Sequence, residues 1–349
     1  MLHPNAVGLA KVAWWIHCSP CFPACDPPVR RREDGVIANC LVIGGGFVGA
    51  HLAARLARDE NDVTVYSRSF SEWLLRERKG NPGQIRLIEG EVPPGGGLIE
   101  SIASADIVFY MAGASTPAMA STDPGGSIAR HVVPAAAVLD LMRETTSRRL
   151  VIASSGGTVY GVPSRLPTPE DHPTRPISLH GHHSLTVERY AQFFAERHGF
   201  ETIILRFSNP YGPGQIARRG QGVIAAWSQA LARNEPLVVY GDPETRRDFL
   251  YIEDLVEATA LAGLSAPTGV YNVGSGISTP LREVIDLLTA IGHPSKIVHA
   301  DARTVDVPVT HLDCSRLEQA VGWRPAVSLP EGIRACLEWA RTVPYVVEG

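Results

Sequence analysis

The chain has 349 residues, 44% of them hydrophobic and 19% charged, with a formal net charge of -4. That length can bury one large core or two smaller ones, and the composition excludes global disorder. The small negative charge gives no general attraction to nucleic acid or to an anionic membrane. No apolar run reaches the ~18–20 residues that span a bilayer, so neither is an expected partner.

Residues 1–36 read as a poorly ordered N-terminal extension. Pro20, Pro23, Pro27 and Pro28 interrupt it, the basic run Arg30–Arg32 follows, and no period is sustained. Its start lacks the basic and long apolar regions of a secretory signal. Cys18, Cys21 and Cys25, beside His17, have a spacing that metal sites also use, but no second cysteine pair accompanies them. Cys40, Cys314 and Cys336 show no disulfide-framework spacing, which places the chain in a reducing, cytoplasmic setting.

From Ala38 the pattern becomes regular. Asn39–Ile43 is a short apolar run that predicts a buried strand. Phe47–Arg58 follows with Val48, Leu52 and Leu56 at helical spacing. Residues 62–66, 106–110, 150–153 and 202–206 are further strand candidates, and residues 128–144 and 187–197 read as helices. Strands alternating with helices predict right-handed βαβ units, and so an α/β fold with a doubly wound parallel sheet. After Arg206 the rhythm loosens into a loop at residues 208–215, a helix at 223–233 and a strand at Leu237–Tyr240. From Ala266 onward, turn residues and small elements predict a smaller second lobe.

The hexapeptide Gly44-Gly45-Gly46-Phe47-Val48-Gly49 follows the first strand and opens the first helix. In that context glycines at spacing one, three and six serve three needs: a tight turn, close backbone approach to a pyrophosphate, and close helix–strand packing. The helix N-terminus offers free N–H groups to the phosphates. About twenty residues on, an acid at the strand end would hold an adenine ribose 2′-hydroxyl, whereas an arginine accommodates a 2′-phosphate. The chain has Ser67 and Arg68 there, which favours NADP over NAD. Ala112 and Gly113, past the strand at 106–110, join the cofactor-binding set.

Five ordered stretches resemble the NAD-dependent epimerase/dehydratase family of extended short-chain dehydrogenases, the UDP-glucose 4-epimerase type. They are the glycine turn, Ser154-Ser155-Gly156-Gly157-Thr158-Val159-Tyr160-Gly161, the stretch from Arg206 through Asn209-Pro210-Tyr211-Gly212 to Gln215, Arg247-Asp248-Phe249-Leu250-Tyr251-Ile252-Glu253-Asp254, and Tyr271-Asn272-Val273-Gly274-Ser275-Gly276. The resemblance implies a Rossmann-type doubly wound sheet with a smaller C-terminal substrate-binding domain. Residues 37–206 plus 246–277 would bind the dinucleotide, and 207–245 plus 278–349 the nucleotide sugar, UDP-, dTDP- or GDP-linked. It assigns Asn209 to the nucleotide sugar, Arg247 and Arg303 to a diphosphate clamp, and Gly222 and Val223 to the helix opening near the base. Guanidinium suits that clamp, being always charged and bidentate toward phosphate; ion pairing of Arg247 with Asp248 or Asp254 is the plainer alternative. Family members pair through two helices into homodimers, here those around residues 128–144 and 184–197.

The family's chemistry uses a Ser or Thr after the fifth strand and a Tyr-x-x-x-Lys pair on the next helix. Aligning Pro176-Ile177-Ser178-Leu179-His180-Gly181-His182-His183-Ser184 on that pattern puts His180 at the Tyr position and Ser184 at the Lys position. Gly156 falls at the Ser position, flanked by Ser155 and Thr158, and the glycine turn is one residue shorter than usual. An imidazole needs no lysine to act as base near neutral pH, so His180, Thr158 and Ser155 become the catalytic candidates. His180, His182 and His183, with His172, also raise a metal reading, but no carboxylate stands at ligand spacing. Two functions follow: an NAD(P)-dependent nucleotide-sugar epimerase or dehydratase with a rearranged proton relay, or a catalytically silent protein that keeps both pockets.

Overall fold

A computed structural model describes residues 30–32, 35–80, 85–92, 97–113, 117–145, 147, 149–217, 222–292, 294, 296–302 and 307–342. The cysteine-rich start and Arg303 lie outside these residues. Within the expected extension, β1 (Arg30–Arg32) and β2 (Gly35–Ile37) pair as an antiparallel hairpin. The regular alternation then runs through β3 (Asn39–Ile43), α1 (Phe47–Arg58), β4 (Asp62–Ser67), α2 (Glu72–Gly80), β5 (Ile85–Glu89), α3 (Leu98–Ala103), β6 (Ile107–Tyr110), α4 (Pro117–Thr122), α5 (Pro124–Arg143), β7 (Arg149–Ser155), α6 (Leu179–His198) and β8 (Glu201–Phe207). Beyond them come β9 (Asn209–Tyr211), α7 (Val223–Ala232), β10 (Leu237–Tyr240), β11 (Arg246–Tyr251), α8 (Ile252–Ser265), β12 (Gly269–Val273), β13 (Ser278–Pro280), α9 (Leu281–Ile291), β14 (Ile297–Ala300), α10 (Ser315–Val321) and α11 (Leu329–Thr342).

Seven of these strands form one sheet in the order β12-β8-β7-β6-β3-β4-β5, every neighbouring pair parallel. Alternate side chains of a strand point to opposite faces, so a sheet covered on both sides needs apolar residues at every position. Val42, Val65, Phe109, Val151 and Leu205 pack in the cluster that holds Leu52 and Leu56 of α1 and Leu255 of α8. Leu41, Ile43, Val108, Leu150 and Ile152 pack on the other side with Ile102 of α3, Leu139 of α5 and Val187 of α6. The strand order reverses between β3 and β6, and the crevice at their carboxyl ends is where open parallel sheets bind ligands.

A third cluster, with Trp227, Leu237, Phe249, Val284, Leu288, Ile333 and Leu337, gathers α7, α9 and α11 around the small sheets β13-β11-β9 and β10-β14. This is the smaller C-terminal part. Three expectations are corrected here. The loop at residues 208–215 contains β9, which exists because Asn209–Tyr211 pairs with residues 249–251 of β11. The helix expected from Val187 begins at Leu179, where the Ser178 hydroxyl accepts the Gly181 N–H at 3.2 Å and caps it. After Ala266 the chain forms full helices α9 and α11, not small elements. Leu317 of α10 and Trp323 return to the sheet's own cluster. Among the described residues, no helix is long and apolar enough to cross a membrane.

Candidate cofactor and catalytic site

The glycine turn is built as its spacing requires. Gly44 has φ +110°, and a Cβ there would lie 2.8 Å from the Ala112 nitrogen, so the turn rests directly on the loop after β6. A Cβ on Gly49 would fall 1.8 Å from the Gly44 carbonyl oxygen, which makes glycine obligatory for this helix–turn packing. Around the Cβ position of Gly46 nothing lies within 4 Å. Gly46 also N-caps α1 without any side-chain hydrogen bond. The free first-turn N–H groups of Phe47, Val48 and Gly49 and the positive helix end therefore fit a pyrophosphate. Ser67, at the end of β4, lies 3.2 Å (Cβ) from the Cβ position of Gly45, and Arg68 beside it is exposed. Gly113 borders the imidazole of His131, whose Cε1 would be 3.6 Å from an added Cβ.

Past the crevice, β7 ends at Ser154 and Ser155. The Ser154 hydroxyl donates to Glu188, which pairs with Arg206 at 2.7 Å; both charged side chains are buried. Arg206 also donates to the Tyr160 hydroxyl at 3.0 Å, and Tyr160 donates to the Asn272 side-chain oxygen at 2.7 Å. This network ties α6 to β7, β8 and β12. Ser155 and Thr158 are half-buried, and the Thr158 Oγ1 is shielded without a hydrogen-bond partner. Gly156 is closely hemmed in: a Cβ would come 2.7 Å from Leu312 Cδ1 and 2.9 Å from the Arg206 carbonyl oxygen. A serine at this position therefore requires its surroundings to shift.

His180 stands in the first turn of α6. Its Nδ1 is shielded and has no hydrogen-bond partner. Burial, and then the neighbouring His183, pull its pKa down to about 4, and the positive end of the α6 dipole acts in the same direction. His180 is therefore neutral at pH 7, with its affinity for a proton lowered by the same burial. Ser184 turns away from the site by donating to the His180 carbonyl at 3.1 Å. His182 is exposed. His172 belongs elsewhere: it accepts the Ser164 N–H at 3.0 Å, and its ring packs on Tyr160.

His183 does join His180, held by Ser127 of α5 at 3.1 Å. The residue that motif reading missed is His131. Its ring meets His180 edge to face at 5.4 Å and lies 6.0 Å from His183. Burial, then His180 and His183, lower its pKa to about 4. The one sequence signal was its four-residue spacing from Ser127, which puts both on one face of α5. Among the described residues, no three or more His, Cys, Asp or Glu side chains are grouped to hold a metal ion.

On the smaller part, Asn209 donates to the Asp248 carbonyl at 3.2 Å. Arg247 donates to the Val307 carbonyl at 2.8 Å, which brings it to the segment that follows Arg303. Asp248 is committed to the Ser275 backbone at 2.7 Å and hydroxyl at 2.8 Å, and Asp254 to the Val327 N–H at 2.9 Å. Gly222, at φ +77°, caps α7 above Gln215.

Comparison with known proteins agrees with this fold. The UDP-glucose 4-epimerase of Mycolicibacterium smegmatis is 29% identical over 307 residues, covering 86% of this chain and 98% of its own. The UDP-glucose 4-epimerase of Thermotoga maritima, solved with UDP-glucose, superposes with a TM-score of 0.79 at 28% identity, over 87% of this chain and 98% of that one. The Thermus thermophilus UDP-glucose 4-epimerase, solved with NAD, gives 0.78 at 27% identity over 88% and 100%. The sequence model of the NAD dependent epimerase/dehydratase family matches residues 40–274. That match begins inside the sheet's first strand and ends one residue past its last, so it spans the seven-stranded sheet. The chain belongs to the NAD dependent epimerase/dehydratase family.

Proposed function

We propose that this chain is an NAD(P)-dependent oxidoreductase of nucleotide sugars, an epimerase or dehydratase, in which His180 is the base. The observation that carries this reading is a half-buried, neutral His180 in the first turn of α6, on a helix start that Gly181 packs against Thr158. In this reading His180 and Ser184 stand at the family's Tyr and Lys positions, and Gly156 at its Ser position. A bound nicotinamide supplies the hydride acceptor. His180 takes the sugar hydroxyl proton, while the Thr158 and Ser155 hydroxyls hydrogen-bond the same oxygen. Returning the proton as the sugar is reduced again completes an epimerisation. The named relatives are epimerases, and nothing among them favours a catalytically silent role.

The finer assignments follow from the same chemistry. Gly44, Gly45, Gly46, Phe47, Val48, Gly49, Ala112 and Gly113 hold the dinucleotide, and Ser67 with Arg68 favours the 2′-phosphate of NADP. Asn209, Arg247 and Arg303 hold the nucleotide diphosphate. The UDP-glucose named for two relatives makes UDP-sugars the first substrates to test, with dTDP- and GDP-sugars beside them. The two parts divide at 37–206 plus 246–277 and at 207–245 plus 278–349, with α10 docked back on the first. A cytoplasmic homodimer pairing through α5 and α6 fits exposed Ile128, Val133, Tyr190 and Phe193.

The test is incubation of the purified protein with each nucleotide sugar and each dinucleotide, with products read by mass spectrometry and NMR. Conversion that His180→Ala abolishes supports the reading. Binding of both ligands with no conversion of any sugar overturns it.

A further inference from the structure

Protonating His180 creates a cation in an unfavourable place, half-buried at the positive end of α6. Little around it offsets that charge. On α6, Glu188 is committed to Arg206 and Ser154, Ser184 donates to the His180 carbonyl, and His183 is engaged with Ser127. On α5, Arg130 is paired with Asp123 at 2.9 Å. The loop after β7 sets the Thr158 carbonyl against Gly181.

His131 remains. It is 7% exposed, its ring stands at 89° to His180, and its Nδ1, like that of His180, is shielded and without a hydrogen-bond partner. It also lies against Gly113, in the loop that borders the glycine turn. The two rings touch without a hydrogen bond between them, and a turn of either ring that aims its unused nitrogen at the other lets the pair hold one proton.

We propose, resting on the reading of His180 as base, that His131 is a positioning residue that shares the proton His180 takes up. The sugar O–H bond breaks and an N–H bond forms on His180. The C–H electron pair leaves as hydride to the nicotinamide dinucleotide. His131 accepts a hydrogen bond, or the proton itself, from the resulting imidazolium. Re-reduction of the sugar returns the same proton, so the pair ends each cycle as it began. His131 thereby takes over charge management that relatives assign to a lysine, from a different helix.

The experiment uses the full chain with His131→Asn and, as a volume-filling control, His131→Phe. Circular dichroism first establishes that each variant is folded. kcat should fall about tenfold or more with KM for both ligands unchanged. The solvent-isotope proton inventory should change from a curved, two-proton dependence in the parent to a linear one. Independently of turnover, ¹⁵N NMR of the His180 ring at pH 7 should show a changed tautomer or hydrogen-bonding state in both variants. Unchanged kcat together with unchanged His180 resonances overturns the proposal and leaves the His180 reading intact. If the parent converts no sugar, that reading fails and the NMR result alone decides the pairing. Altered resonances then support it and unaltered ones overturn it.

Discussion

Gly181 of α6 lies so close to Thr158 that a Cβ on it would sit 2.7 Å from the Thr158 carbonyl oxygen. The contact sets the height of the α6 N-terminus, which carries His180, over the loop after β7. Gly181→Ala should lift the helix start and reduce kcat by about tenfold or more, since small misplacements of a catalytic group carry large rate costs. Dinucleotide affinity should change little, because the glycine turn is untouched. Steady-state kinetics and a dinucleotide titration check both parts; an alanine variant with parental kcat would contradict the role given to this contact.

His180→Ala should lower the rate about 10²–10⁴-fold, the usual contribution of a positioned base. Because the His180 pKa is held near 4, activity of the parent should stay level from neutral pH down past 6. It should fall only as the pH approaches 4 and the imidazole becomes charged. A limb centred near the ordinary histidine value in the pH–rate profile would show that His180 is not the base, or is not desolvated.

Arg68→Ala should weaken NADP more than NAD, by about 1.5–3 kcal/mol, the range of a charge-assisted contact. Calorimetric titration of both dinucleotides measures it. Equal losses for the two, or tighter NAD binding by the parent, count against the NADP assignment.

Acid should destabilise the fold through its buried imidazoles. His51, His131 and His180 each have pKa values lowered to about 4 from 6.5, chiefly by burial. The unfolded chain binds these protons first, so their stability contribution is complete above about pH 6.5 and is lost as pH falls toward 4. Each group contributes a slope of at most about 1.4 kcal/mol per pH unit. Urea unfolding at a series of pH values should show this decline, and His51→Gln should make it shallower. A flat profile between pH 6.5 and 4.5 would rule the burial account out.

Glu188→Ala should cost about 3–5 kcal/mol, because it leaves the buried Arg206 guanidinium without its counter-charge. The same loss frees Ser154 and loosens α6 from β7, so activity should fall with stability. Thermal unfolding alongside kinetics tests it, and a shift below about 1 kcal/mol would show that water replaces the carboxylate.

What the chain shows by itself is local. β3, α1 and β10 have the bounds read from their apolar periods, since strand and helix repeats are written within a few neighbouring residues. The glycine turn is local in its spacing, and Gly49 answers the Gly44 carbonyl five positions back, whereas the demand on Gly44 comes from Ala112 on the neighbouring strand's loop. Contacts between distant segments were decided only by tertiary packing. Asn209–Tyr211 is a strand solely because it pairs with residues 249–251, and no period in three residues can announce that. Gly156 is confined by Leu312, more than a hundred residues away. His131 lies in a helix with no motif of its own, and becomes part of the site only when α5 packs against α6 and brings it to His180. Burial then sets the charge state of both rings, a property of the assembled interior rather than of either residue.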